Sequence, residues 1–185
     1  MRWFWVDRFT EYVAGSHATG VKGVSLADEL LHDHWDVYPA MPNTLIAEGM
    51  AQTAGLLVSE LYEFQELVVL AKFTKLSFEG LVRPGEAIQY HARIGRTVDA
   101  GAQCSVTGTV LGSGDSPDRP QATAEIFFAR VGADAPESIE RDKPSRLFNP
   151  ADLVRWLHTT GIFTVGVNQD GDRMRPQDYG LPLAV

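Results

Sequence analysis

The residues with the clearest chemical potential lie in one stretch, where a loop with two histidines runs into a segment that carries a carboxylate. His32 and His34 precede two prolines, and Glu48 follows His34 by 14 residues. A histidine can take up a proton and a carboxyl group can donate one, which is the pairing that general acid–base catalysis requires. The stretch therefore predicts an acid–base site built from a loop and the element after it.

That element is predicted to be a long helix over residues 43–62, with Asn43 as its N-cap after Pro42. Apolar residues cover most of its circumference, which is typical of a buried helix. The polar exceptions form one stripe, Thr44, Glu48, Gln52 and Ser59, with Gly55 between the last two. Glycines cost a helix about 1 kcal/mol each against alanine. We therefore expect Gly49 and Gly55 to allow close packing against a neighbouring backbone.

A glutamate on so apolar a helix is expected to be desolvated, which favours its protonated form and suits a general acid. His34 would be the base, and N–H groups at the helix start near Asn43 would stabilise a carbonyl oxygen that gains negative charge. This set fits proton abstraction beside a thioester carbonyl with loss of a β-hydroxyl, without metal or organic cofactor. Glu48 and His34 could instead be structural. A metal site at His32 and His34 lacks an obvious third ligand.

The rest of the chain to residue 131 reads mainly as β-strands. Strands are predicted at residues 3–13, 17–24, 67–76, 87–97, 102–111 and 121–131, with a helical turn at 25–31. One long helix within a mostly antiparallel sheet is an α+β architecture, in which the sheet wraps around the helix. Residues 1–131 are expected to form this domain.

Residues 132–185 are expected to form a linker and a C-terminal helical extension that packs on the core or on a partner. The linker covers 132–148, and a short helix follows with Asn149 as cap and Pro150 in its first position. The tail from Val165 is predicted to be irregular.

Composition excludes several classes of protein. The 185 residues include 16 basic and 24 acidic side chains, a net charge of -8, which argues against nonspecific nucleic-acid binding. A single cysteine, Cys104, cannot form an internal disulfide and is expected to be buried. The early charges at the N-terminus are unlike a signal peptide, and no segment is apolar enough to span a membrane. We expect a cytoplasmic protein. The remaining histidines, His17, His91 and His158, are expected to be structural or exposed.

The run His34-Trp35, then Pro39-Ala40-Met41-Pro42-Asn43-Thr44-Leu45-Ile46-Ala47-Glu48-Gly49-Met50-Ala51-Gln52, resembles the active-site signature of the β-hydroxyacyl-acyl-carrier-protein dehydratases of fatty acid synthesis. Flanking stretches are similar to that family too, so that the resemblance covers about residues 2–131. They are Phe4-Trp5-Val6-Asp7-Arg8, Lys22-Gly23-Val24-Ser25, and Leu70–Phe78 with Val82-Arg83-Pro84-Gly85-Glu86. The sequence departs from the family at Asn43, where glycine is usual, and at Asp36 and Val37, where Pro-Gly is usual.

The resemblance implies a hot-dog fold and a homodimer, often assembled further into hexamers, with no cofactor. It implies that His34 as base pairs with the partner subunit's Glu48 as acid, and that Asn43, Thr44 and Gln52 contact the substrate. That substrate would be a 3-hydroxyacyl thioester on an acyl carrier protein or coenzyme A. An acidic carrier would need a basic patch, for which the candidates are Lys72, Lys75, Arg83, Arg93 and Arg96. The alternatives are a hot-dog thioesterase and a noncatalytic acyl-binding subunit.

Overall fold

One seven-stranded sheet organises the protein in a computed structural model that describes residues 4–34, 38–131 and 150–181. The strands are β1 Arg8–Val13, β2 His17–Gly23, β3 Leu67–Phe78, β4 Ala87–Val98, β5 Gly101–Val110, β6 Arg119–Val131 and β7 Gly166–Val167. Their order across the sheet is β3-β6-β5-β4-β2-β1-β7. Neighbours are antiparallel except β1 and β7, which run parallel. The predicted α+β architecture is confirmed.

The helices are α1 Glu29–His34, α2 Asn43–Glu60, α3 Pro150–Thr159 and α4 Ile162–Val165, and a 3-10 helix covers Pro176–Tyr179. The long helix α2 lies against the sheet, and ten of its 18 residues are buried. The prediction that Asn43 caps this helix is wrong. Pro42 occupies the N-cap position with an extended backbone, and no side chain among the described residues caps the helix. The Pro42 carbonyl accepts the first helical hydrogen bonds, from the Leu45 and Ile46 N–H groups, which places Pro42 and not Asn43 at the N-cap.

Two glycines let the sheet approach α2 closely. A Cβ on Gly49 would lie 2.5 Å from the hydroxyl oxygen of Tyr90 on β4, and one on Gly55 would lie 3.2 Å from Cε1 of Phe128 on β6. Real Cβ atoms essentially never come within 3.0 Å of a heavy atom to which they are not covalently connected. The glycines therefore serve close packing, as expected, but the groups packed against them are aromatic rings and not backbone.

The C-terminal extension covers the β1 edge of the sheet and the end of α2. Strand β7 pairs with β1 in the register Tyr12 to Gly166, and the Phe9 N–H donates to the Thr160 carbonyl at 2.7 Å. The buried apolar residues in the described helices of this extension include Leu153, Val154, Trp156, Leu157, Ile162, Pro176 and Tyr179. The tail is thus more ordered than predicted, because pairing with β1 and packing on the core give it the partners that its sequence alone does not reveal.

Hydrogen bonds of Glu60 connect the extension to the core. Its carboxylate accepts hydrogen bonds from the Tyr179 hydroxyl at 3.1 Å and from the Gly15 N–H at 2.9 Å. Burial raises the pKa of Glu60, while these two hydrogen bonds act in the opposite direction. The carboxylate joins α2, the β1–β2 turn and the 3-10 helix at one point.

Several predicted boundaries shift. The first strand begins at Arg8 and not at residue 3, and the predicted turn at 25–31 is in part the helix α1, which begins at Glu29. The predicted linker 132–148 and the cap at Asn149 lie outside the described residues, whereas α3 begins at Pro150 as expected. Within the described ranges, the helices include none long and apolar enough to cross a bilayer.

Candidate active site

The central carboxylate of the site, Glu48, lies in the second turn of α2 on the predicted polar stripe. Thr44 is exposed, and Glu48, Gln52, Gly55 and Ser59 are half-buried. In the single chain Glu48 is half-buried, so its expected desolvation stays a prediction. The buried residues of α2 lie on its other sides, so the stripe is the least buried face of the helix.

Gln52 holds the Glu48 side chain in place. Its Nε2 donates to Glu48 Oε1 at 2.8 Å, one helical turn away. Its Oε1 accepts from the main-chain N–H of Trp5, also at 2.8 Å. Because the amide oxygen faces a donor, the amide nitrogen must face the carboxylate. The Trp5 N–H thus fixes the orientation of Gln52, and Gln52 fixes one oxygen of Glu48.

Sequence reasoning missed Trp5. Its contribution is a main-chain N–H, which every residue except proline carries and which leaves no signature in a sequence. Trp5 and Gln52 are 47 residues apart, so only the folded chain brings them together.

Asn43 and Thr44 are the first two residues of α2, and both are exposed. The helical hydrogen bonds begin with the Leu45 and Ile46 N–H groups, which donate to the Pro42 carbonyl. The N–H groups of Asn43 and Thr44 precede these bonds and lie at the positive end of an 18-residue helix. They are placed as donors to an oxygen that carries negative charge.

The loop before α2 is tied to the segment after β3. The Met41 N–H donates to the Val82 carbonyl at 2.8 Å, and both residues are buried. The Arg83 guanidinium lies over the ring of Tyr38, 5.7 Å from its centroid. These contacts fix where α2 begins and hence where its first N–H groups point.

His34 is the last residue of α1, and its side chain lies outside the described part of the structure, as does that of His32. Asp36 and Val37 also fall outside it. The pairing of His34 with Glu48 therefore stays a prediction. Among the predicted site residues whose side chains the structure describes, Gln52 and Glu48 are in direct contact.

The remaining titratable groups match their expected structural roles. Cys104 is buried, and burial raises the pKa of its thiol to about 12. His17 lies 3.3 Å from a Glu11 carboxylate oxygen, and His91 Nδ1 lies 2.9 Å from the Thr19 hydroxyl. His158 is exposed on α3. These histidines contact other residues on the surface of the sheet or of α3 and are remote in sequence from the site.

The five candidate basic residues are all exposed but are spread over the protein. Lys75, Glu125, Ser105 and Arg93 follow one another in register across β3, β6, β5 and β4. Lys75 and Arg93 are thus three strand spacings apart, about 14 Å, with an acidic side chain between them. They form a mixed-charge surface and not one compact basic cluster.

A sheet wrapped against one long central helix defines the hot-dog fold. An acyl-CoA hydrolase mutant from Staphylococcus aureus in complex with coenzyme A has the same fold, with a TM-score of 0.55 and 13% identity over 74% of this chain and 74% of that one.

Sequence comparison gives the family. The FabA-like domain matches residues 4–116. The 3-hydroxyacyl-[acyl-carrier-protein] dehydratase FabZ of Thermoanaerobacter sp. is 36% identical over 126 residues, which cover 66% of this chain and 83% of that enzyme. The FabZ of Shewanella frigidimarina is 30% identical over 93 residues, 48% of this chain and 61% of that enzyme. The chain belongs to the FabA-like dehydratase family, and the resemblance predicted from the sequence is confirmed.

Proposed function

We propose that the protein dehydrates 3-hydroxyacyl thioesters, carried on acyl carrier protein, to trans-2-enoyl thioesters. The observation that carries the proposal is the Glu48 carboxyl group, which Gln52 holds on the least buried face of α2 within two turns of the helix start. Membership of the FabA-like family supports this reaction, and the activity for which the similar FabZ enzymes are named supplies the substrate class.

The chemistry assigns one step to each group. His34 takes the proton from C2 of the substrate, and the electron pair moves towards the thioester carbonyl. The N–H of Asn43 stabilises the negative charge that develops on the carbonyl oxygen. Glu48 then protonates the hydroxyl on C3, which leaves as water while the C2–C3 double bond forms. The reaction consumes one 3-hydroxyacyl thioester and yields one enoyl thioester and one water.

We infer further that the working unit is a homodimer with His34 of one subunit facing the partner subunit's Glu48. Support comes from β3, which lies at the edge of the sheet and exposes 43% of Leu70 and 38% of Leu76. These leucines stand opposite the buried residues Phe128 and Ala124 of β6, so they lie on the α2 side of the sheet. A second copy joined along β3 would cover these leucines and exclude water from the polar stripe of α2.

The reaction is tested with purified full-length protein by following the enoyl chromophore, using 3-hydroxyacyl thioesters of acyl carrier protein and of coenzyme A at several chain lengths. Glu48→Gln and His34→Ala should each abolish enoyl formation. Glu79→Gln removes an exposed carboxylate elsewhere and should leave the rate unchanged. Release of free thiol without enoyl formation would indicate a thioesterase. Binding of the acyl thioester without either reaction would indicate a noncatalytic subunit. Either result would refute the proposal.

The shared site is tested by mixing the two inactive variants. If each site takes His34 from one subunit and Glu48 from the other, a mixed dimer holds one intact site. Random re-association should then restore about a quarter of the wild-type activity. Mixtures that stay inactive after verified subunit exchange would place both residues in the same subunit.

A further inference from the structure

We propose that the C-terminal extension supports the site through one residue, Trp156 on α3, which is a positioning residue for Glu48. The inference rests on the proposed function and gives a role to residues 150–181, which lie beyond the 4–116 that match the family domain.

Three consecutive contacts connect α3 to the carboxylate. The Trp156 ring stacks on the Phe4 ring, with 4.1 Å between centroids and 23° between planes. Phe4 directly precedes Trp5, whose N–H donates to Gln52 Oε1 at 2.8 Å. Gln52 Nε2 then donates to Glu48 Oε1 at 2.8 Å. Each contact is short, and Trp156 and Trp5 are both buried.

The Trp5 N–H lies outside the backbone hydrogen bonds of the sheet, so its position depends on side-chain packing, to which Phe4 contributes. Strand β1 begins at Arg8, and the Asp7 N–H donates to the Val21 carbonyl just before it. Trp5 precedes that bond, and its N–H points to the Gln52 side chain. The segment before β1 therefore takes its position on α2 in part from the ring of Phe4, which α3 holds.

The extension is itself well anchored to the core. The Phe9 N–H donates to the Thr160 carbonyl at the end of α3, and β7 pairs with β1. Further along, Gln65 Nε2 donates to the Tyr179 carbonyl at 2.6 Å. Trp156 is thus fixed with respect to the sheet, so that it can define the position of Phe4.

Loss of the Trp156 ring should let residues 4–5 shift, which loosens Gln52 and misplaces the Glu48 carboxyl. A displacement of about 1 Å at a catalytic group can cost on the order of a hundredfold in rate. We expect Trp156→Ala to lower kcat about tenfold or more with KM nearly unchanged. Trp156→Phe keeps a ring for stacking and should recover most of the rate.

The experiment measures kcat, KM and thermal unfolding for Trp156→Ala, Trp156→Phe and Phe4→Leu in the full-length chain. Phe4→Leu removes the other ring of the stacked pair, with a smaller loss of buried volume than Trp156→Ala, and should also lower kcat. Met174→Ala is the matched control, because Met174 is buried in the extension against Gly166 and is not part of these contacts. It should lower stability and leave kcat unchanged.

A double-mutant comparison separates positioning from loss of structure. If Trp156 acts through Gln52, adding Trp156→Ala to Gln52→Ala should lower kcat little further, because the connection is already broken. The inference would be overturned if the losses in kcat of Trp156→Ala and Gln52→Ala multiply in the double variant. A wild-type kcat in both Trp156→Ala and Phe4→Leu would also overturn it.

Hydrogen exchange of the Trp5 amide gives a readout that does not depend on activity. Trp156→Ala should speed exchange of this amide, and Met174→Ala should not. If the wild-type protein proves inactive on every 3-hydroxyacyl thioester, the proposed function fails while this measurement still tests the link. Unchanged exchange in Trp156→Ala would refute the link itself.

Discussion

Replacing Gly49 by alanine tests the packing of α2 against the sheet more directly than any other single change. The new methyl group would lie 2.5 Å from the hydroxyl oxygen of Tyr90, and Tyr90 has no exposed surface into which to move. Overpacking of a closed core typically costs about 1–3 kcal/mol. Alanine recovers about 1 kcal/mol of helix propensity. Because a 2.5 Å contact lies well inside the 3.0 Å limit, the upper end of that cost applies, and we expect a net destabilisation of about 2 kcal/mol.

Gly55→Ala is the matched control in the same helix. Its methyl group would lie 3.2 Å from Cε1 of Phe128, so a shift of a few tenths of an ångström in that ring accommodates it. The gain in helix propensity should offset the crowding, and stability should stay within about 0.5 kcal/mol of wild type. The two substitutions are chemically identical, and only the distance to the neighbouring ring differs.

The assay is thermal or urea unfolding of both variants, in which 1 kcal/mol corresponds to about 2–4 °C in Tm for a chain of this size. Combining Gly49→Ala with Tyr90→Val removes the ring and should recover part of the loss, so the double-mutant cycle should show a favourable coupling. A Gly49→Ala protein as stable as wild type would refute the packing argument, as would an equal loss in Gly55→Ala.

Three further predictions concern buried or partly buried polar groups. The Tyr90 hydroxyl is buried with no hydrogen-bond partner among the described residues. Tyr90→Phe should therefore leave the free energy of unfolding unchanged or raise it by up to about 1 kcal/mol, as measured by urea unfolding. A clear loss of stability would show that the hydroxyl has a hydrogen-bond partner. Burial, with help from Arg93 and His17, lowers the pKa of His91, so the unfolded chain binds more protons than the folded one just below pH ~6.5. The free energy of unfolding should therefore fall as pH drops through that window, and this pH dependence should weaken in His91→Gln. An unchanged slope of stability against pH in His91→Gln would refute the assignment of this effect to His91. Because burial raises the pKa of Cys104 to about 12, iodoacetamide should not label it in the native protein at pH 8, and rapid labelling would contradict the buried position.

The sequence by itself determined the fold class, the central helix and the family. Hydrophobic periodicity is local, so it located α2 and all but the shortest strand to within a few residues. The spacing of His34, Glu48 and Gln52 is also local, and it was enough to indicate the family. The stripe on α2 that carries Glu48 follows from helical geometry alone.

Contacts between distant parts of the chain were decided only by the tertiary structure. The bond from the Trp5 N–H to Gln52 joins residues 47 positions apart through a main-chain group that carries no sequence signal. The stacking of Trp156 on Phe4 and the bond from Tyr179 to Glu60 depend on how the C-terminal extension packs on the β1 edge. The sequence showed that residues beyond 131 include a short helix. Only the fold placed that helix next to the segment whose Trp5 N–H binds Gln52, because packing partners are chosen by shape and burial across the whole chain and not by neighbouring residues.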